Sequence, residues 1–166
     1  MVSVLHSVWG LLSSLMVLYD VAFIFLRPRS LPGGDLAEYF PAHPVYVKID
    51  PEYGDASALA PVIMQVMCIV EIALFCVAAL RRKSSPRASA LTFLVVNTMV
   101  LWKTVSYMAN VTLEISQDGL PVSQQEFLQM FLLPNAMWII IPLLAIRDLC
   151  SVLMRPPTSA TKRKTQ

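Results

Sequence analysis

Residues 58–80 read ALAPVIMQVMCIVEIALFCVAAL, an apolar run with a single charge, Glu71, inside it. The hydrocarbon core of a bilayer is ~30 Å thick and is crossed by ~20 helical residues at about 1.5 Å rise each, so this run is long enough to span it. Three further stretches read the same way, giving spans of approximately Val4–Leu26, Ala58–Leu80, Ala88–Ala109 and Phe127–Met154. Lipid offers no hydrogen bonds to a bare backbone, so the expected fold is all-α, an integral membrane bundle of four transmembrane helices. Residues 1–154 then form one domain, and residues 155–166 form a short basic cytosolic tail.

Composition agrees with this class. The chain is 56% hydrophobic and 14% charged, with mean hydropathy +0.61, far from the balance of a soluble domain. A net charge of +2 implies no nucleic-acid partner. Cys68, Cys76 and Cys150 all fall inside apolar spans and lack zinc or redox spacing, so they read as small buried hydrophobes.

Orientation follows from the Lys/Arg count of the short loops. The loop after the second span carries Arg81, Arg82, Lys83 and Arg87, and the tail adds Arg155, Lys162, Arg163 and Lys164. Segment 27–57 holds only Arg27, Arg29 and Lys48, and segment 111–126 holds no positive charge. The basic loop and tail therefore belong on the cytosolic side, and an even number of crossings puts both termini there. The closing Lys162-Arg163-Lys164-Thr165-Gln166 fits the K-x-K-x-x pattern of retrieval signals, which points to a multi-pass protein of the endoplasmic-reticulum membrane. The first span has no basic stretch before it and no small-residue cleavage site after it, so it reads as a retained helix.

Segment 27–57 is rich in proline and glycine, including Pro28, Pro32, Gly33, Gly34 and Pro41, and reads as an irregular loop with one short helix at 35–40. Its aromatic residues Tyr39, Phe40, Tyr46 and Tyr53 suit a cap over the bundle mouth. In segment 111–126, Asp118-Gly119 reads as a turn, and Ser123 followed by Glu126 reads as a capping box that opens the fourth helix. The sequon Asn110-Val111-Thr112 abuts the membrane end of the third helix, out of a transferase's reach.

A charge at bilayer depth costs ~3 kcal/mol on insertion scales, so Asp20, Glu71, Lys103 and Asp148, with the polar Asn135, mark where function is sought. Asp20 and Glu71 lie on neighbouring antiparallel helices and can face one cavity. Packed together there, one of them keeps its proton, which makes a donor–acceptor pair without a metal. The other reading makes each carboxyl structural, bonded to Tyr19, Lys103 or backbone. Lys103 is the evident counter-ion, either tying helices through Glu71 or joining the chemistry. In residues 133–142, LPNAMWIIIP, Asn135 and Trp138 are three apart and share a helix face. An Asn amide orients polar groups, and a desolvated Trp ring attracts a cation by ~2 kcal/mol. Pro142 frees a backbone carbonyl. The alternatives are an interfacial Trp anchor and an Asn that ties helices together. Trp9 and Trp102 read as packing or belt residues and His6 as interfacial. The chain has no Gly-rich phosphate loop, no Ser-His-Asp arrangement and no metal motif, so no cofactor and no metal are expected.

Four short helices with inner acids and an Asn-Ala-x-Trp motif near the end resemble the EXPERA superfamily. That family includes the emopamil-binding protein, a sterol double-bond isomerase, and the sigma-2 receptor. Asn135-Ala136-Met137-Trp138-Ile139-Ile140-Ile141-Pro142-Leu143 through Arg147-Asp148-Leu149 is similar to the last helix of the isomerase. The resemblance implies that Asn135 and Trp138 line a lipid pocket, with Trp138 facing a carbocation. Leu18-Tyr19-Asp20, Asp50-Pro51 and Val70-Glu71 look like acidic positions of the sigma-2 receptor, and the resemblance puts Asp20 and Glu71 at the ligand cavity. Trp9 and Ser13 stand where the isomerase carries a His and a Glu four apart, and Thr104, beside Lys103, stands where it carries an acid. Its full proton relay is therefore missing here.

The expected function is a membrane-bound isomerase or cyclase that acts on a terpenoid, prenylated or sterol substrate by acid-initiated carbocation chemistry. Asp20, Glu71 and Trp138 are the expected catalytic residues, and Asn135, Lys103, Thr104 and Trp102 the expected substrate-binding ones. The alternative is a non-catalytic sterol- or lipid-binding trafficking regulator of the sigma-2 receptor type. Ion or solute transport fits poorly, because four short helices with few polar residues make a poor aqueous path. The expected partners are a hydrophobic small molecule and the lipid bilayer, with a homodimer left open.

Overall fold

The computed structural model describes residues 2–155, and among these the fold is all-α, without strands. Six helices follow in chain order: α1 Val4–Phe25, α2 His43–Ile49, α3 Pro51–Gly54, α4 Leu59–Arg81, α5 Pro86–Asp118 and α6 Gln124–Met154. Of these, α1, α4, α5 and α6 are long and apolar enough to cross a membrane. The tail residues 156–166, with the retrieval-like Lys162-Arg163-Lys164, lie outside the described residues.

Local chemistry sets the helix ends. The Ser3 hydroxyl accepts the amide of Leu5 at 3.2 Å and opens α1. Pro86 occupies the first turn of α5, where its missing N–H costs nothing. That helix ends at Gly119, whose φ of +87° suits a residue without Cβ. It thus runs to Asp118 rather than Ala109, and the connection to α6 shrinks to a few residues. The Ser123–Glu126 capping box is formed, with Glu126 N–H donating to Ser123 Oγ at 3.2 Å and Ser123 N–H donating to Glu126 Oε2 at 3.0 Å. Beyond it, α6 passes through a π-helical turn at Leu128–Leu132, immediately ahead of Pro134. Such turns leave backbone carbonyls off the regular ladder and recur at functional sites.

The outer surface of the bundle is apolar. Leu11, Leu15, Ile63, Leu80, Leu113 and Leu144 are all exposed, as helices facing hydrocarbon require. Inside, Phe75, Phe93, Val96, Val100 and Leu149 form a core near the end that carries the basic loop. At the opposite end, Phe23, Ile24, Phe40 and Tyr53 make a second core. α1 packs along α4, α4 along α5, and α5 along α6. Gly10 allows the first of these contacts, since a Cβ there would lie 2.8 Å from the Phe75 ring. α1 and α6 instead meet at separate points, through His6–Asp148 at 3.3 Å and Trp9–Trp138 at 5.3 Å between ring centroids.

The segment between α1 and α4 folds over one end of the bundle. Arg27 pins it, donating to the carbonyls of Glu52 (2.9 Å), Tyr53 (3.3 Å), Asp55 (2.7 Å) and Ala58 (3.2 Å). The short helix expected at 35–40 is a single 3-10 turn at Ala37–Tyr39. Phe40 at the end of that turn points inward, and the other inward-pointing cap residues come from α2 and α3, with Asp50 capping α3 through the amide of Glu52.

Candidate functional site

Under the cap lies a chamber of about 90 Å³ to which α1, α2, α3, α4, α5 and α6 all contribute. Asp20 enters from α1, Gln65 and Cys68 from α4, Lys103 and Thr104 from α5, Asn135 and Trp138 from α6, and Tyr46 and Tyr53 from the cap. The Asp20 carboxylate is the most heavily bonded group. Tyr53 Oη donates to its Oδ2 at 3.0 Å and Gln65 Nε2 donates to the same oxygen at 2.8 Å. His43 Nε2 lies 3.2 Å from Oδ1, while His43 Nδ1 is buried without a partner. The imidazole stacks on Phe23 with centroids 3.8 Å apart, which holds it against the acid. Asp20 and His43 thus form a contact dyad, in which Nε2 and Oδ1 face each other across 3.2 Å.

The cap phenols are withdrawn from water. Loss of solvent pushes the Tyr46 hydroxyl well above its ordinary value, and the nearby Asp20 charge adds to the rise, with the approach of Tyr107 and Asn135 acting against it. Tyr53 moves the same way, first through burial and then through Asp20. Both therefore stay neutral donors over the physiological range.

Glu71 stands behind this chamber rather than on its wall. Its Oε2 pairs with Lys103 Nζ at 2.6 Å, and the two side chains are 4% and 9% exposed. Lys103 Nζ also donates to Cys68 Sγ at 2.8 Å. Glu71 Oε1 is buried without a partner and borders a void of about 10 Å³ shared with Ser13, Ser14 and Trp138. The structure therefore brings Asp20, Lys103, Thr104, Asn135 and Trp138 around one chamber, with Glu71 reaching it through Lys103.

Trp102 is turned outward, 72% exposed, and borders a lateral recess between α4 and α5 instead of the chamber. The Thr104 hydroxyl is committed to Val100 O at 2.8 Å in its own helix. Asn135 Nδ2 donates to Phe131 O at 2.8 Å, across the π-helical turn, which leaves its amide oxygen as the group it can offer. Pro142 has no N–H to give to the Trp138 carbonyl one turn earlier.

The chamber opens sideways in two directions. Between α1 and α6 an aperture of about 310 Å³ shares Asp20, Tyr46, Asn135 and Trp138 with it. Between α4 and α5 a recess of about 650 Å³ shares Tyr53, Met64, Lys103 and Tyr107. Both face the apolar flanks of the bundle. Ligand sites for small organic molecules usually hold ~300–1,000 Å³, so either opening is of that size and the chamber alone is not.

Sequence reasoning did not single out His43, Gln65 or Tyr53 as partners of Asp20. Gln65 left a signal, as a lone amide in an otherwise apolar run. No protein-family model, curated protein or solved structure matches the chain.

Proposed function

We propose that the protein takes an isoprenoid lipid sideways from the bilayer and isomerises or cyclises it by acid-initiated carbocation chemistry. One observation carries this reading: the Asp20–His43 dyad meets Trp138 and Asn135 at the junction of the chamber and the α1/α6 aperture. The chamber admits about one end of a chain, while the aperture holds the remainder against lipid. An acyclic prenyl chain or its epoxide fits that geometry better than a fused-ring sterol does.

In the proposed step the dyad's proton passes from Asp20 to an alkene carbon or an epoxide oxygen. The new C–H or O–H bond leaves a carbocation, which the Trp138 ring faces and stabilises. The cation closes on a neighbouring double bond or shifts, and loses a proton back to the Asp20–His43 dyad. The Asn135 amide oxygen orients a hydroxyl of the substrate. Glu71 and Lys103 cancel one another's charge, so the chamber carries no stray anion or cation of their making. An EXPERA-type relationship agrees with the placement of Asp20, Asn135 and Trp138. Endoplasmic-reticulum residence with both termini in the cytosol is the localisation that goes with it, on the positive-inside asymmetry.

A second reading has its own support. Asp20 already accepts from Tyr53 and Gln65, and Glu71 is neutralised by Lys103, so both acids are occupied in the way a non-catalytic lipid-binding protein would hold them. Incubating membranes containing the full chain with prenyl alcohols, prenyl epoxides and sterols separates the two. Turnover seen by mass spectrometry supports the enzyme, whereas saturable binding without any product supports the binder.

A further inference from the structure

We propose that Lys103 is a carbonyl-capturing amine, which holds a long-chain apolar aldehyde delivered from the bilayer through the α4/α5 recess as an imine against Glu71. Lys103 sits where that recess, about 650 Å³, joins the chamber. The recess walls are Ile63, Met64, Met67 and Trp102, which suit a hydrocarbon chain, and Glu52, Asn110 and Glu114, more exposed than the buried Asp50, also line it. A primary amine in such a place binds either an anion or an electrophile. The Lys103 charge is already cancelled by Glu71 at 2.6 Å, and an incoming carboxylate or phosphate would face that second anion. A neutral carbonyl meets no such opposition. It also exploits what distinguishes lysine from arginine, an amine that becomes nucleophilic once it gives up its proton.

The acceptor for that proton is in place. Glu71 Oε2 takes it across 2.6 Å, and the free amine then forms a C–N bond to the aldehyde carbon. The carbinolamine loses water, the C=N bond forms, and Glu71 returns the proton to the imine nitrogen. The sum is aldehyde plus ammonium giving protonated imine plus water, with the water leaving through the recess. Glu71 is thus the counter-ion of the ammonium at the start and of the protonated imine at the end, and a neutral acid between them. The proposal rests on the reading above only for its lipid ligand class. Its readout is a covalent mass rather than turnover, so either reading can fail alone.

The test uses the full chain in phosphatidylcholine vesicles, exposed to a saturated aldehyde of farnesyl skeleton or to a straight-chain aldehyde of equal length. Borohydride then reduces any imine to a stable secondary amine, and peptides are mapped by mass spectrometry. A hemithioacetal at Cys68 is not fixed by this reduction, so it does not mimic the result. Labelling at Lys103 should exceed that at the exposed Lys48 and Lys83 by about tenfold, the advantage of a chain held beside its target. Lys103→Arg, which keeps the pairing with Glu71, should lose the label at that position. Met67→Trp, which fills the recess away from the ion pair, should reduce labelling severalfold. Preference for the branched over the straight aldehyde identifies the isoprenoid as the ligand source, and equal labelling identifies any apolar chain. Labelling at Lys103 no greater than at Lys48, or unchanged by Met67→Trp, overturns the proposal.

Discussion

Trp9 and Trp138 meet edge to face across the seam between α1 and α6, with ring centroids 5.3 Å apart and planes at 71°. The pair divides that seam. Toward the capped end lies the aperture that leads to Asp20, and toward the basic end lies a groove of about 470 Å³ bordered by His6 and Asp148. Trp138 therefore pairs with Trp9 in the seam and borders both the chamber and the aperture.

Replacing Trp9 with Leu tests whether this pair restricts entry to the site. Loss of the aromatic pair should lower stability by about 1 kcal/mol, read as a lower thermal midpoint in detergent. The same change should let bulkier ring lipids compete for the site, read by displacement of a bound fluorescent prenyl probe. An unchanged ligand range would show that the pair packs helices without gating.

The Glu71–Lys103 pair should behave as one unit. Glu71→Gln strands a buried ammonium and should cost about 3–5 kcal/mol, and Lys103→Met strands a buried carboxylate at similar cost. The double variant Glu71→Gln/Lys103→Met removes both charges and should recover most of the loss. Thermal unfolding of the four proteins gives the coupling directly, and additive losses would mean the pair is not formed. Lost activity in Glu71→Gln alone is thus no measure of proton donation.

Asp50 ties the cap to α5. Its carboxylate accepts Tyr107 Oη at 2.8 Å, and burial raises the carboxyl above its usual range against that bond and the Glu52 amide. A folded-state value above the unfolded one stabilises the fold while the group is protonated, below the unfolded value of about 4. That contribution is lost as pH rises through the raised folded value. Wild type should therefore lose stability from acidic toward neutral pH, and Asp50→Asn, which keeps the cap geometry, should flatten the dependence. Parallel melting curves for the two proteins would contradict this.

Topology is checked separately. If the positive-inside asymmetry of Arg81, Arg82, Lys83 and Arg87 sets the orientation, tags on both termini should be cleaved by protease added to sealed microsomes. A protected tag at either end would reverse or break the assignment.

Much of the bundle was legible because apolar length needs no periodicity to be read, and because Ser123, Glu126 and Gly119 mark their turns chemically. The continuation of α5 to Asp118 was not legible. Asn110, Glu114 and Asp118 announce departure from lipid, and leaving the bilayer is not leaving the helix. The cap helices α2 and α3 are too short to show a repeat, which hid His43 in a Pro-rich loop. Trp102 and Lys103 both border the α4/α5 recess, but of the two only Lys103 reaches the chamber. Lys103 takes the interior because a charge is costlier in lipid than an indole. Asn135 and Trp138, three apart, do share a face as their spacing predicts.

In the proposed reaction Asp20, with His43, moves the proton that starts and ends it. The most direct measurement compares wild type with Asp20→Asn for turnover of an accepted isoprenoid lipid and for its dissociation constant, in the same membranes. The amide keeps the size of the carboxyl and the link to Gln65 while it can no longer give a proton to carbon or to an epoxide. Turnover should fall by about a hundredfold or more, the usual worth of general acid–base catalysis, while affinity changes by less than about threefold. Asp20→Asn that turns over substrate at the wild-type rate, or that loses binding in proportion to activity, would contradict it.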